Sequence, residues 1–325
     1  MKGYKGFDKD LQCRGFQYKV GETFEEKEAK LCSKGLHFCE NPFDVFGYYN
    51  PNTGRFCEVE AEKVSPETEY DSKRVAKKLH IKAEIGLSGI IQAGVKFILD
   101  KVKWDDKNTA TGNYSGASAT GDKSGASATG NYSGASATGD YSGASATGYK
   151  SGASATGDYS GASATGDKSG ASATGDKSGA SATGDKSGAS ATGDYSGASA
   201  TGDKSGASAT GYKSGASATG DYSGASATGY KSGASATGNC SGASATGYKS
   251  GASAGKGSVA LATGMLSRAR GDLGAFIVLT ECEEIRGEYF IKDVKCAKVD
   301  GENIKANTWY FLENGKFVEA DERDY

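Results

Sequence analysis

Sixteen copies of one nine-residue unit run without interruption from residue 111 to residue 254. Counted from Ser115, the unit reads Ser-Gly-Ala-Ser-Ala-Thr-Gly followed by two variable residues, which are Asp-Lys, Asp-Tyr, Tyr-Lys, Asn-Tyr or, once, Asn-Cys. Nine residues cannot bury a face of their own, so a fixed short period implies one structural unit stacked on the next. A Gly/Ser-rich linker has a similar composition but no need to hold sixteen units in register.

Strand alternation places Ser115, Ala117, Ala119 and Gly121 on one side and Gly116, Ser118 and Thr120 on the other. The worn units beyond the array indicate which side is inside. In Ser258–Gly264 the first set is kept while Val259 and Leu261 replace Gly and Ser, and Arg268 and Arg270 then occupy the same positions. Positions that accept Val, Leu and Arg are expected outside the roll, and Ser, Ala and Gly inside it. Such an interior buries little apolar area, so backbone hydrogen bonds and dense small-residue packing must supply most of the cohesion. The variable pairs set the coil length: the first variable residue recurs two units away in 10 of 14 comparisons and one unit away in 5 of 15. This favours a coil of two units, about 18 residues.

On that reading like residues stack along two edges. One carries Asp122, Asp140, Asp158, Asp176 and Asp194, then Tyr212, Tyr230 and Tyr248; the other carries Asp167, Asp185, Asp203 and Asp221 beside Lys168, Lys186, Lys204 and Tyr222. Like charges ~4.8 Å apart are costly, and the nine Asp and nine Lys of the array are expected to compensate one another. In the turn, Gly stands where a left-handed residue is expected, with the variable pair at the apex. Tyr in the first apex slot is always followed by Lys, at Tyr149, Tyr212, Tyr230 and Tyr248, a pairing open to cation–π contact. Eight coils make a rod of roughly 38 Å whose open ends the flanking domains are placed to cap.

The flanks are not repetitive. Residues 1–108 read as an α+β capping domain, with a strand over Arg55–Glu60, a loop–helix signal over Glu40–Tyr49, and a helix from about Glu84 to Val102 that buries Ile85, Ile90, Ile91, Val95, Ile98 and Leu99. Residues 275–325 read as a small β-meander cap, with Asp300-Gly301 and Asn314-Gly315 as hairpin turns. The expected fold is mainly β: a two-sided parallel β-solenoid over 109–274 between these two domains.

Charge narrows the function. The array carries nine acids against nine bases, which suits neither a polyanion binder nor a DNA mimic. No stretch approaches the ~18 apolar residues of a membrane span, and the N-terminal Met1–Phe16 has no apolar core like that of a secretion signal. A cytoplasmic or virion-associated protein without nucleic-acid or membrane partners is expected. Seven Cys without a Cys-x-x-Cys pair read as free thiols; Cys32, His37 and Cys39, with Cys13 or Cys57, match no zinc spacing, and no cofactor is expected. Gly251–Lys256 is one residue short of a phosphate loop, and the repeat lacks the double Gly of calcium-binding rolls.

The runs Lys5–Tyr18 (K-G-F-x-x-x-L-x-C-R-G-F-Q-Y) and Gly35–Pro42 (G-L-H-F-C-E-N-P) resemble an N-terminal domain of unknown function in phage, prophage and gut-bacterial proteins. The middle of those proteins is likewise a series of A-T-G-x-x-S repeats, and Ile291–Val294 with Ala297–Gly301 fits the same group. Ser267–Gly271 also resembles the seven-residue repeat in the head β-rolls of trimeric autotransporter adhesins, which implies the roll without the trimer. The order Tyr4–Gly6, Gly35–Phe38, Tyr48-Tyr49 and Phe56–Glu60 looks loosely like ADP-ribosyltransferase folds, for which Glu58 or Glu60 with His37 or Arg14 would be the catalytic candidates.

The favoured function is a non-enzymatic structural or interaction protein that binds a protein partner or itself. The candidate contact residues are the edge side chains Tyr114, Tyr132, Tyr141, Tyr149, Tyr159, Tyr195, Tyr212, Tyr222, Tyr230 and Tyr248, with Lys213, Lys231 and Lys249. The hydroxyl rows of Ser118 and Thr120 on a flat face keep an ice-binding alternative open.

Overall fold

A computed structural model describes residues 1–51, 53–67, 71–101 and 103–320. Each Gly-Ala-Ser-Ala-Thr strand pairs in parallel with the strand two units away, Gly161 opposite Gly179 through Thr165 opposite Thr183. About 10 turns of roughly 18 residues stack into a solenoid with two sheets. Ala162 and Ala164 are buried inside it, as is Ser160. The expected coil length and inner face are both present.

The inner serine stitches the coils together. Ser160 N–H donates to Ser178 Oγ at 2.9 Å, and the Ser178 hydroxyl donates to Gly157 O at 3.0 Å. The pattern recurs from Ser142 to Ser267. It satisfies backbone groups at the corner, where the strand ladder is interrupted and water is excluded. The turn glycine is required sterically: Gly166 has φ +136°, and a Cβ there would fall 1.8 Å from Gly148 O. The positive φ expected at that glycine is present, and the second apex residue is left-handed as well, as at Lys168 (φ 63°) and Tyr195 (φ 59°).

The aspartate column is satisfied differently from the expectation. Asp158, Asp176 and Asp194 each donate a backbone N–H to the carboxylate of the preceding coil's aspartate at 3.0–3.1 Å, and Tyr212 N–H does the same to Asp194 at 2.9 Å. Backbone donors offset the stacked negative charge, and the array lysine Lys177 pairs with Asp44 of the N-terminal domain.

The N-terminal domain is a five-stranded antiparallel sheet in the order Thr23–Glu25, Lys73–Glu84, Leu36–Cys39, Lys2–Phe7 and Arg55–Val64, with Arg55–Val64 also paired to Lys73–Glu84. The helix α1 follows it, Gly86–Lys101; Val102, its expected last residue, lies outside the described residues. The domain does not sit over the end of the roll as a cap. It lies along one side, with α1 packed on the outer face of one sheet. The reason is a furrow left by the repeat's first glycine. Leu87, Ile91, Val95 and Ile98 form one helical stripe over Gly215, Gly197, Gly179 and Gly161, taken one coil at a time. A helical pitch of about 5.4 Å nearly matches the ~4.8 Å step between coils, so each helical turn seats over one coil. Ser88 Oγ and Ser199 Oγ meet at 3.1 Å beside this stripe.

At the N-terminal end of the roll, Lys103–Thr111 and Gly116–Thr120 are the outermost strands of their sheets. The other end closes with two hairpins, one per sheet, instead of one meander. Phe276–Ile285 turns through Arg286-Gly287 into Glu288–Lys298, and Tyr310–Glu313 turns through Asn314-Gly315 into Lys316–Glu319. Two sheets that end side by side present two edges, and one meander would cover only one. Asp300 makes no hairpin; its Oδ1 accepts the N–H groups of Glu302, Asn303 and Ile304 at 2.9–3.0 Å. Arg268 and Arg270 lie on the outer side but not in solvent: their guanidinium groups stack on Trp309, 5.0 and 4.7 Å from the ring centroid, and Arg268 is 1% exposed.

Two substitutions check this packing. A Cβ on Gly179 would lie 2.5 Å from Phe43 Cζ and 2.8 Å from Val95 Cγ2, whereas on Gly188 the nearest atom would be Gly206 O at 3.8 Å. Gly179→Ala should therefore cost about 1–3 kcal/mol and speed proteolysis between the domain and the roll, while Gly188→Ala stays within about 1 kcal/mol of wild type. Equal denaturation midpoints for the two variants would refute the seat. Ser178→Ala should cost about 1–3 kcal/mol for each orphaned group, Ser160 N–H and Gly157 C=O, read as a drop in the urea midpoint.

Candidate functional site

The proposed contact residues fall on two unlike edges. On the edge away from the N-terminal domain, Tyr114 and Tyr132 stack with centroids 4.9 Å apart, and Tyr149 and Tyr222 are exposed. On the other edge Tyr141 stacks on Tyr159 at 4.8 Å, and Tyr212, Tyr230 and Tyr248 stack at 5.1 and 5.2 Å. There the domain engages several of them. Tyr195 packs against the cluster that includes Phe43, Ile91 and Val95, and Lys213 Nζ donates to Gly47 O at 3.3 Å.

The lysine that most firmly holds the domain, Lys177, was not singled out from the sequence. It pairs with buried Asp44 at 2.8 Å; burial alone would lower its pKa, but the Asp44 hydrogen bond and charge outweigh burial and raise it. Nothing in the unit Asp176-Lys177 distinguishes it from its copies.

The recurring Tyr-Lys pair has a geometric account. Lys150, Lys213, Lys231 and Lys249 each place Nζ 5.4–5.9 Å from the ring centroid of the tyrosine just before them. Burial, and then the next lysine of the column, lowers the pKa of Lys213 and Lys231.

The sheet opposite α1 is uncovered by any described residue of the flanking domains. Its strands expose Gly, Ser and Thr alternately, as in Gly188–Thr192, so Ser118 and Thr120 do lie on an exposed face. Its glycine column forms a shallow trough past Gly188, Gly206, Gly224 and Gly242. Beyond the roll, the hairpin strand Glu288–Lys298 exposes Tyr289, Phe290, Ile291 and Val294.

A cavity of about 490 Å³ opens in the N-terminal sheet. It lies where Lys2–Phe7 and Leu36–Cys39 pair at a single register, Tyr4 opposite Cys39. Lys5 reaches across the gap: its Nζ donates to His37 O at 2.8 Å and lies 3.5 Å from Cys13 Sγ, while Tyr49 OH donates to the same sulfur at 2.9 Å. Burial lowers the Lys5 pKa. Arg14, Tyr18, His37 and Lys73 also line the wall, so both stretches that carry the N-terminal resemblance contribute residues to one cavity.

Residues 1–93 match the family model described as a domain of unknown function (DUF7666). No curated protein and no solved structure matches the chain. The matched stretch holds the whole N-terminal sheet, the cavity, and α1 as far as Ala93.

Glu58 and Glu60 are not brought to the cavity that His37 and Arg14 line. Glu58 pairs with Lys2 and Lys82 at 3.0 Å and Glu60 with Lys82 at 3.2 Å. Among the described residues no three His, Cys, Asp or Glu side chains converge as metal ligands, and His37 Nε2 accepts the Cys32 N–H at 3.0 Å. Sequence reading missed Lys5, Cys13, Tyr18 and Tyr49 as a group because Lys5, on a strand, reads as a surface lysine.

Burial, with the charges of Lys5, Lys73 and Arg14, lowers the His37 pKa to about 4. The unfolded imidazole takes its proton near pH 6.5, so the unfolded state binds more protons below that pH and stability falls as pH drops from about 6.5 to 4. The urea midpoint should fall more steeply over this window in wild type than in His37→Gln; identical slopes would remove His37 as the cause.

Proposed function

We propose that this chain is a non-enzymatic interaction protein, a rigid rod that presents a repetitive surface to a protein partner or to further copies of itself. One observation carries the reading. The N-terminal domain occupies only one of two sheets built from the same pentapeptide, and the other, with its Tyr/Lys/Asp edge, is left to solvent. Identical side chains repeating every ~4.8 Å reward a partner that is itself extended or repetitive, because each further contact is made at high effective concentration. The N-terminal resemblance supports a phage or prophage setting, in which interference with host defence or an accessory virion role is a natural use. Ser118 and Thr120 on the open sheet leave ice binding as a second reading, and thermal hysteresis of the purified protein tests it.

Tyr114, Tyr132, Tyr149 and Tyr222 on the open edge, exchanged together for Ser, should leave the circular dichroism unchanged and reduce partner recovery from a bacterial lysate about tenfold or more. A folded variant that recovers the same partners as wild type would refute the reading. NAD-dependent labelling of lysate proteins that disappears with Glu58→Ala or Glu60→Ala would replace it with the transferase reading.

A further inference from the structure

We propose that the uncovered sheet is a second helix seat, and that its occupant is an amphipathic α-helix of the partner protein. This deepens the interaction reading and rests on it. The argument is internal to the molecule, because the covered sheet already shows what this pentapeptide binds. There, four successive glycines of the column receive apolar side chains: Leu87 at Gly215, Ile91 at Gly197, Val95 together with Phe43 at Gly179, and Ile98 at Gly161. The open sheet carries the same Gly-Ala-Ser-Ala-Thr strands in the same register, Gly188 opposite Gly206 through Thr192 opposite Thr210. Its glycines are likewise extended, and a Cβ on Gly188, Gly206 or Gly224 would meet only the next glycine's carbonyl oxygen, at 3.8 Å. The trough is therefore the α1 furrow without its helix.

The seat specifies its ligand. A helix laid along it meets one coil per turn, so it must carry aliphatic residues at the spacing of Leu87, Ile91, Val95 and Ile98. The covered seat also shows the polar requirement, since Lys177, at the second apex position flanking its glycine column, holds buried Asp44. The corresponding flank of the open seat is a column of four lysines, Lys150, Lys168, Lys186 and Lys204. In the covered seat that acid comes from the neighbouring segment Pro42–Gly47 and not from α1, so the fitting partner carries an acidic residue on that side, on the helix or beside it. Val259 and Phe276, both exposed, replace glycine in the last two coils and close the trough at its C-terminal end.

The probe is a fluorescein-labelled peptide with the sequence of residues 84–101, titrated with the full-length protein and followed by fluorescence anisotropy and circular dichroism. Saturable binding with a gain of helix is expected, weakened at least tenfold by Gly188→Leu with Gly206→Leu. Those positions lie on an open face with extended backbone, so the double variant should fold. No saturation at millimolar protein would overturn the proposal. So would equal affinity for the double variant, which would mean that the peptide displaces α1 from its own seat. A wild-type dimer in sedimentation that the double variant abolishes would assign the seat to a second copy of the chain, and overturn it too. A lysate partner that still binds the double variant would defeat the helix seat while leaving the interaction reading intact; no partner at all would defeat the interaction reading and, with it, the assignment of the seat to a partner's helix.

Discussion

A buried serine hydroxyl at each corner is the contact on which the solenoid depends. A roll filled with alanine has too little apolar surface to hold together by burial alone, and its corners interrupt the backbone ladder where water is excluded. Each hydroxyl both accepts from the strand start of one coil and donates to a turn carbonyl, as Ser178 does between Ser160 and Gly157. The small interior, the tight turn and the invariance of seven positions in nine follow from that arrangement. A larger inner side chain would part the sheets, and any Cβ on the turn glycine would strike the coil beneath.

The same economy of side chains gives the outer faces their character. Glycine at the second position leaves a furrow, and a furrow with a ~4.8 Å step accepts a helix of about 5.4 Å pitch with little mismatch over three or four turns. The N-terminal domain is thus fastened along its length instead of at a tip, with the Lys177–Asp44 pair as a polar fixing beside the apolar stripe. A buried ion pair adds little net stability over an apolar substitute, but it disfavours slippage of the helix by one coil, because only one register brings the two charges together.

Much of the roll was legible because its signals are periodic. Recurrence of Asp and Tyr at two units gave the coil length, and the worn unit Ser258–Gly264 gave the inner face. The position of α1 was not legible, since glycine carries no apolar signal and both sheets repeat one pentapeptide. The apolar stripe of α1 could be read, but not what it covers. Arg268 read as solvent-facing because the alternation places it outside, and only the fold brings Trp309 over it. Lys5 and Cys13 belong to a cavity made by two strands that part after one pair, and strand divergence leaves no mark on composition or period.

Because one coil holds two units, the parity of the repeat number sets the angular phase of the molecule. The C-terminal hairpins are specific to their sheets: Arg268 and Trp309 belong to the side that α1 occupies, Val259 and Phe276 to the other. Gain or loss of two units slides the hairpins along the axis and preserves their orientation to the N-terminal domain. Gain or loss of one would turn them through half a revolution and exchange the ends of the two troughs. Slippage of the repeats during replication is therefore partitioned by the fold into changes of length and changes of handed arrangement, and an even count such as sixteen keeps the two ends of the rod in phase.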